Sequence, residues 1–197
     1  MQLTLEQSGD LRVHEEIVYT LALDESHGLR RIVPLKVPYD DSHLRVYAID
    51  DISVSAESAG GTILSGTEAG VAELATNVTN DQLVIRIGSA STFIQGTWRY
   101  RIDYVVHDAV ETVPLKDLGT GQELAWNLVG TAWEVPIARV DATLAHPGTA
   151  LSVRCFTGAY RSTATCAPAG TGTADDPLRV SATDLAPGDA LPGYLHL

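Results

Sequence analysis

Residues 96–108 read GTWRYRIDYVVHD. Even positions carry Trp98, Tyr100, Ile102, Tyr104 and Val106; odd positions carry Thr97, Arg99, Arg101, Asp103, Val105 and His107. One face is aromatic and apolar, the other largely charged. A period of two with that contrast is the mark of an antiparallel strand with one face in a core and one in water. Trp98 falls on the inward face and is expected to be a core aromatic. The same alternation runs through QLTLEQ, LRVYA, LVIRI, LSVRC and LRVSATD. Turn-forming residues separate the runs, at Ser8-Gly9-Asp10, Asn80-Asp81, Gly119-Thr120-Gly121 and His146-Pro147-Gly148. No long amphipathic helix competes with them. The expectation is an all-β chain, an antiparallel β-sandwich, immunoglobulin-like in general architecture.

The 197 residues suffice for one substantial domain, and no linker divides them, so residues 1–197 are read as a single domain. Long Gly- and Ser-rich stretches at 55–70 and 167–177 read as loops. A hydrophobic fraction of 45% argues against disorder. The formal net charge of −12 argues against nucleic acid or anionic lipid as a partner, because both require clustered Lys and Arg. Only Lys36 and Lys116 are lysines, a bias expected of a high-GC bacterial gene. No run approaches the roughly 18 apolar residues of a membrane-spanning helix. The opening MQLTLEQSGDLRV alternates like a strand and does not resemble a secretory signal. The chain as given is expected to be soluble, either a whole cytosolic protein or a piece of a larger one.

ELAWNLVGTAWEVPI suggests a hairpin turning at Gly130-Thr131. In that register Leu124, Trp126, Leu128, Trp133, Val135 and Ile137 share one face, so Trp126 and Trp133 are expected to be core aromatics. The alternative is a platform of aromatic rings for carbohydrate or peptide.

Two charges interrupt apolar faces. In residues 11–23 the odd positions are apolar or aromatic except Glu15; in residues 29–37 they are apolar except Arg31. Arg30 falls on the opposite, solvated side. Burying either charge alone is costly. Together they can form a bidentate pair on consecutive strands. The alternative is that each lies near a strand end and reaches water separately.

Cys155 and Cys166, the two cysteines, lie in CFTGAYRSTATC and fit no C-x-x-C motif. In an oxidising compartment they read as a disulfide across a hairpin, worth about 3 kcal/mol by chain entropy. Otherwise they are two unrelated buried thiols.

These stretches carry a resemblance. Val13, Glu15 and Ile17, then HGLRRIVP at 27–34, resemble the start of the DUF2207 family of predicted membrane proteins. IRIGSASTFIQGTWRYRIDYVV, ELAWNLVGTAWEVPI and CFTGAYRS followed by a second Cys agree in the same order. The resemblance implies a bacterial, multi-pass protein with an amino-terminal extracytoplasmic β-rich domain and no established biochemical role. Glu15, Arg31, Trp126, Asn127, Trp133, Cys155 and Cys166 fall on matching positions. Ile32 departs, since an acidic residue is common there. The chain therefore resembles the extracytoplasmic domain alone, with membrane attachment expected through other segments and the extracytoplasmic face of the membrane as its location.

No catalytic motif stands out: G-x-S-x-G, the phosphate-binding loop, H-E-x-x-H and G-x-G-x-x-G are all absent from the sequence. The histidines (14, 27, 43, 107, 146 and 196) are scattered, and His27 reads as part of a turn. No cofactor or metal is expected. Asp40-Asp41, Asp50-Asp51 and Asp175-Asp176 could offer oxygens to Ca²⁺, but without EF-hand spacing they read as solvated loop acids. Asn77-Val78-Thr79 has the form of a glycosylation sequon, of little meaning in a bacterial chain. The expected function is a non-catalytic interaction or sensing domain, with a protein or another cell-envelope component as partner. A lectin-like carbohydrate or peptide binder is the alternative, with Tyr47, Tyr160 and Tyr194 as candidate exposed aromatics. A β-sandwich hydrolase is the third reading.

Overall fold

The computed structural model describes residues 1–40, 42–61, 63–65, 74–77, 81–88, 93–115, 119–148 and 150–197, without the side chains of 22–25, 63–65, 74–77 and 115. Lys116, Asp41 and the sequon residues Val78 and Thr79 lie outside the described residues. The described chain is all-β, with 66% of it in strands. In order the strands are β1 (Gln2–Leu5), β2 (Leu11–Ser26), β3 (Gly28–Pro34), β4 (Lys36–Pro38), β5 (Leu44–Val46), β6 (Ala48–Ser58), β7 (Ile63–Ser65), β8 (Leu74–Asn77), β9 (Gln82–Gly88), β10 (Ile94–His107), β11 (Val110–Leu115), β12 (Gly119–Val129), β13 (Ile137–Ala145), β14 (Ser152–Cys155), β15 (Leu178–Leu185) and β16 (Leu191–His196). Several packed sheets result, consistent with a β-sandwich. The strands fall into two compact units, one of residues 1–12 with 106–197 and one of residues 13–105.

In the unit of residues 13–105, strands run in the order β2-β10-β6-β7, with a second sheet β3-β9-β8 and a hairpin β4-β5. The alternation read from the sequence is visible in the burial of β10, where Trp98, Tyr100, Ile102 and Tyr104 are buried and Arg99 and Asp103 exposed. The outer face of β2 and β10 is dressed with ion pairs. Glu16 accepts from Arg99 at 2.6 Å, and His14 meets Asp103 at 2.7 Å. Exposed pairs of this kind contribute little to stability. The stretch at 55–70 is not simply a loop: its first residues finish β6, and Ser55 pairs with Ser65 of β7. β-branched and small residues alternating with apolar ones suffice for strand pairing despite the Gly content nearby.

His27 is one residue between β2 and β3 rather than a wide turn, and its ring stacks on Phe93 at 4.2 Å. Gly28 follows with φ +137° and pairs with Gly88. A Cβ at Gly28 would overlap the carbonyl oxygen of Ile87, and one at Gly88 the carbonyl oxygen of His27. The close backbone approach therefore requires glycine on both strands.

In the unit of residues 1–12 and 106–197, β1 pairs parallel with β13, which also pairs with β15. A four-stranded sheet runs β11-β12-β16-β14. Apolar side chains of both sheets, among them Leu3, Leu124, Trp126, Leu178 and Leu195, are buried. The proposed hairpin at Gly130-Thr131 does not form. β12 is flanked by β11 and β16, so both its edges are taken and β13 joins another sheet. Gly130-Thr131 itself suits a two-residue turn with glycine first, but Pro136 has no N–H to give to a ladder, and the edges of β12 go to strands from elsewhere in the chain. Consequently Trp133 is only half-buried and off the strands, its carbonyl accepting from Gly188 N–H at 2.8 Å, while Trp126 is 7% exposed. Trp98, in the other unit, is buried and donates through Nε1 to the Gln95 carbonyl at 3.0 Å. Gly119-Thr120-Gly121 likewise belongs to β12, paired with β11, and not to the turn before it.

Candidate functional sites

Glu15 on β2 and Arg31 on β3 are 3% and 4% exposed. Arg31 Nε donates to Glu15 Oε2 at 2.8 Å and Arg31 Nη2 to Glu15 Oε1 at 3.0 Å, the fork-to-fork geometry expected of a strong pair. The strands are consecutive in the chain but lie in different sheets of the unit, so the pair ties sheet to sheet rather than strand to strand. Two further contacts complete it. Tyr104 of β10 donates its hydroxyl to Glu15 Oε1 at 2.7 Å, and Arg31 Nη1 donates to the carbonyl of Ile32 at 2.6 Å.

Burial alone would make the Arg31 guanidinium easier to deprotonate, but the Glu15 carboxylate more than reverses this and holds it charged. Burial, and then Glu15, push the Tyr104 phenol well above its ordinary value. Burial also pushes Tyr100 up to about 12. With folded-state values raised, both phenols keep their protons at a pH where the unfolded chain loses them, near 10. Stability from this source is complete below pH 10 and falls as pH rises beyond it. An alkaline titration followed by phenolate absorbance is expected to fall short of the seven tyrosines by at least Tyr100 and Tyr104, which should ionise only as the protein unfolds. Ionisation of all seven in the native state would contradict the burial of these two.

Cys155 ends β14 and is disulfide-bonded to Cys166, with 5.3 Å between the Cα atoms. The intervening loop folds back on itself: Thr157 N–H donates to the Ala164 carbonyl at 2.9 Å and Cys166 N–H to the Cys155 carbonyl at 3.1 Å. Protein unfolded without reductant should show no free thiol. Replacing both cysteines with serine should cost about 3 kcal/mol in a urea titration.

The sheet β11-β12-β16-β14 carries a polar row that sequence spacing did not reveal. Register places Glu123 opposite His196 and His196 opposite Ser152. His196 Nε2 lies 2.7 Å from Glu123 Oε2, and His196 Nδ1 lies 2.9 Å from Ser152 Oγ. The His196 and Glu123 side chains are 14% and 12% exposed; Ser152 is exposed. Arg154, two residues along β14 on the same face, lies 4.0 Å from Glu123 and 6.0 Å from the Tyr194 ring. The three residues are 73 and 44 positions apart in the chain, and only the strand register unites them.

Behind that sheet lies an apolar cavity of about 40 Å³, lined by Leu3, Leu124, Trp126, Leu128 and Leu178 among others. Among the candidate binding aromatics, Tyr47 is buried, which removes it as a platform; Tyr194 is half-buried against Phe156; Tyr160 is 70% exposed. Among the loop acids, Asp40 accepts from the Ser42 and His43 N–H groups, both at 2.8 Å, and Asp176 from Arg179 at 2.5 Å. No cluster of three or more metal-ligating side chains occurs among the described residues.

A model of the N-terminal domain of the predicted membrane protein family DUF2207 matches residues 1–194. The chain belongs to the DUF2207 family. No curated protein matches it. Among solved structures, a protein of Parabacteroides distasonis ATCC 8503 that carries the provisional name of protease is similar in fold, with TM-score 0.53 at 10% identity. The match covers 98% of this DUF2207 chain and 38% of that one, so the chain spans about two fifths of its neighbour's length. At that identity the likeness concerns fold alone. No helix among the described residues of the DUF2207 domain is long and apolar enough to cross a membrane.

Proposed function

We infer that this DUF2207 domain works by binding rather than by turnover, as an interaction or sensing module on the extracytoplasmic side of a bacterial membrane protein. Its partner is a protein or another component of the cell envelope, and attachment to the membrane belongs to other segments of the full-length protein. The Cys155–Cys166 disulfide supports the location, since such bonds persist in oxidising compartments. The observation that carries the binding role is the β4-β5 hairpin. Leu44 and Val46 are 58% and 61% exposed, and Pro38 opposite Leu44 is exposed beside them. Tyr39, 41% exposed, is held at the end of β4 over the buried Arg45 guanidinium, 5.3 Å from the ring centre. Apolar side chains grouped on a polar rim mark contact surfaces.

A photo-crosslinking residue at position 44 of the membrane-embedded full-length protein tests this. One discrete adduct, lost when Val46 is changed to Asp, is the expected result. Labelling no stronger than at a solvated control position such as 139 would sink the proposal. Tyr160 favours a second reading: its ring is exposed with the Arg161 guanidinium 5.4 Å from its centre, a stacking surface for a sugar or peptide. Glycan binding abolished by Tyr160→Ala and untouched by Val46→Asp would favour that reading instead.

A further inference from the structure

We propose that Ser152 is an activated nucleophile that accepts an acyl group from a reactive ester, with His196 as its base and Glu123 as the positioning residue. A serine hydroxyl is a poor nucleophile unless a base takes its proton, and the base must be held in the right orientation by a third group. Here Ser152 Oγ is 2.9 Å from one imidazole nitrogen, and the Glu123 carboxylate is 2.7 Å from the other. Two groups face Nε2: the Glu123 carboxylate at 2.7 Å, which can only accept, and the Arg154 guanidinium at 3.4 Å, which can only donate; the carboxylate is much the closer, so in the neutral ring the hydrogen sits on Nε2. Nδ1 then presents a lone pair, and the Ser152 hydroxyl donates to it. That is the protonation state a general base requires. The base and the carboxylate are largely shielded from water, while the hydroxyl faces it. Strand pairing fixes all three backbones side by side, so little reorganisation stands between this geometry and reaction.

The reaction balances without any further reagent. Ser152 Oγ bonds to the acyl carbon as its proton passes to His196 Nδ1. The bond from that carbon to the leaving oxygen breaks, the leaving oxygen keeps the electron pair, and it takes the proton from Nδ1. A serine ester remains. Arg154, on the same face of β14, sets its positive charge beside Glu123 and His196 Nε2, at the far side of the imidazole from Ser152. The acceptor role is independent of the binding role inferred above, because it rests on a different sheet.

The test uses p-nitrophenyl acetate on the intact domain at mildly alkaline pH, followed by intact mass and peptide mapping. The expected result is one acetyl group, on Ser152. Ser152→Ala should abolish it, and Ser152 is exposed enough for that change to leave the fold alone. Glu123→Gln should slow acylation at least tenfold, and Glu123→Asp should restore part of the rate; a merely structural carboxylate would move the thermal midpoint and not the rate. No adduct, or adducts confined to the amino terminus and lysines and unchanged by Ser152→Ala, would overturn the proposal and leave the row as a cross-strand hydrogen-bond ladder. Nitrophenol release beyond one equivalent, still dependent on Ser152, would support the nucleophile and instead overturn the reading of the domain as non-catalytic.

Discussion

Changing Arg31 to Met is expected to destabilise the protein by about 3–5 kcal/mol, because the buried Glu15 carboxylate loses the two hydrogen bonds that Arg31 gives it. An exposed pair would cost under about 1 kcal/mol. The double change Arg31→Met with Glu15→Leu should recover part of the loss, since two apolar side chains replace two charges. It should not recover all of it. Tyr104 donates to Glu15 and its buried hydroxyl would lose that acceptor, a cost of about 1–3 kcal/mol. The triple variant with Tyr104→Phe should therefore be more stable than the double one. Urea unfolding of the wild type, both singles, the double and the triple measures every term. A coupling energy between positions 15 and 31 indistinguishable from zero would refute the pairing. A triple variant no better than the double would refute the role given to Tyr104.

The sequence revealed this site in part, for a simple physical reason. Period-two burial is a local property, so parity alone pointed Glu15 and Arg31 inward. It could not show that their strands lie in different sheets, nor that Tyr104, 89 residues from Glu15, completes the cluster. Tyr104 read as one more aromatic on an apolar face; its hydroxyl was the signal that a polar partner waited inside. The all-β class was legible for the same local reason. Strand pairing was not. The Gly130-Thr131 hairpin failed because the edges of β12 are claimed by β11 and β16, segments that lie well outside the stretch read as a hairpin. The Ser152, His196 and Glu123 row was hidden by the same ignorance of register: each residue alternates unremarkably within its own strand.

Correcting the hairpin separates the two tryptophans that the sequence had paired. Trp126→Ala is expected to cost about 3–5 kcal/mol. The indole is 7% exposed and already borders a cavity of about 40 Å³. Its strand is clamped between two neighbours and cannot collapse inward, so the void left behind stays open. Those conditions place the loss in the upper part of the range. Trp133→Ala should cost less than half as much, because Trp133 is half-buried and outside the strands. Fluorescence also distinguishes the two. Trp98 and Trp126 are buried, so iodide should quench chiefly the Trp133 emission, and Trp133→Phe should remove most of the quenchable signal. If Trp126→Phe removed it instead, Trp126 would be the solvent-facing ring, and the packing of β12 described here would be wrong.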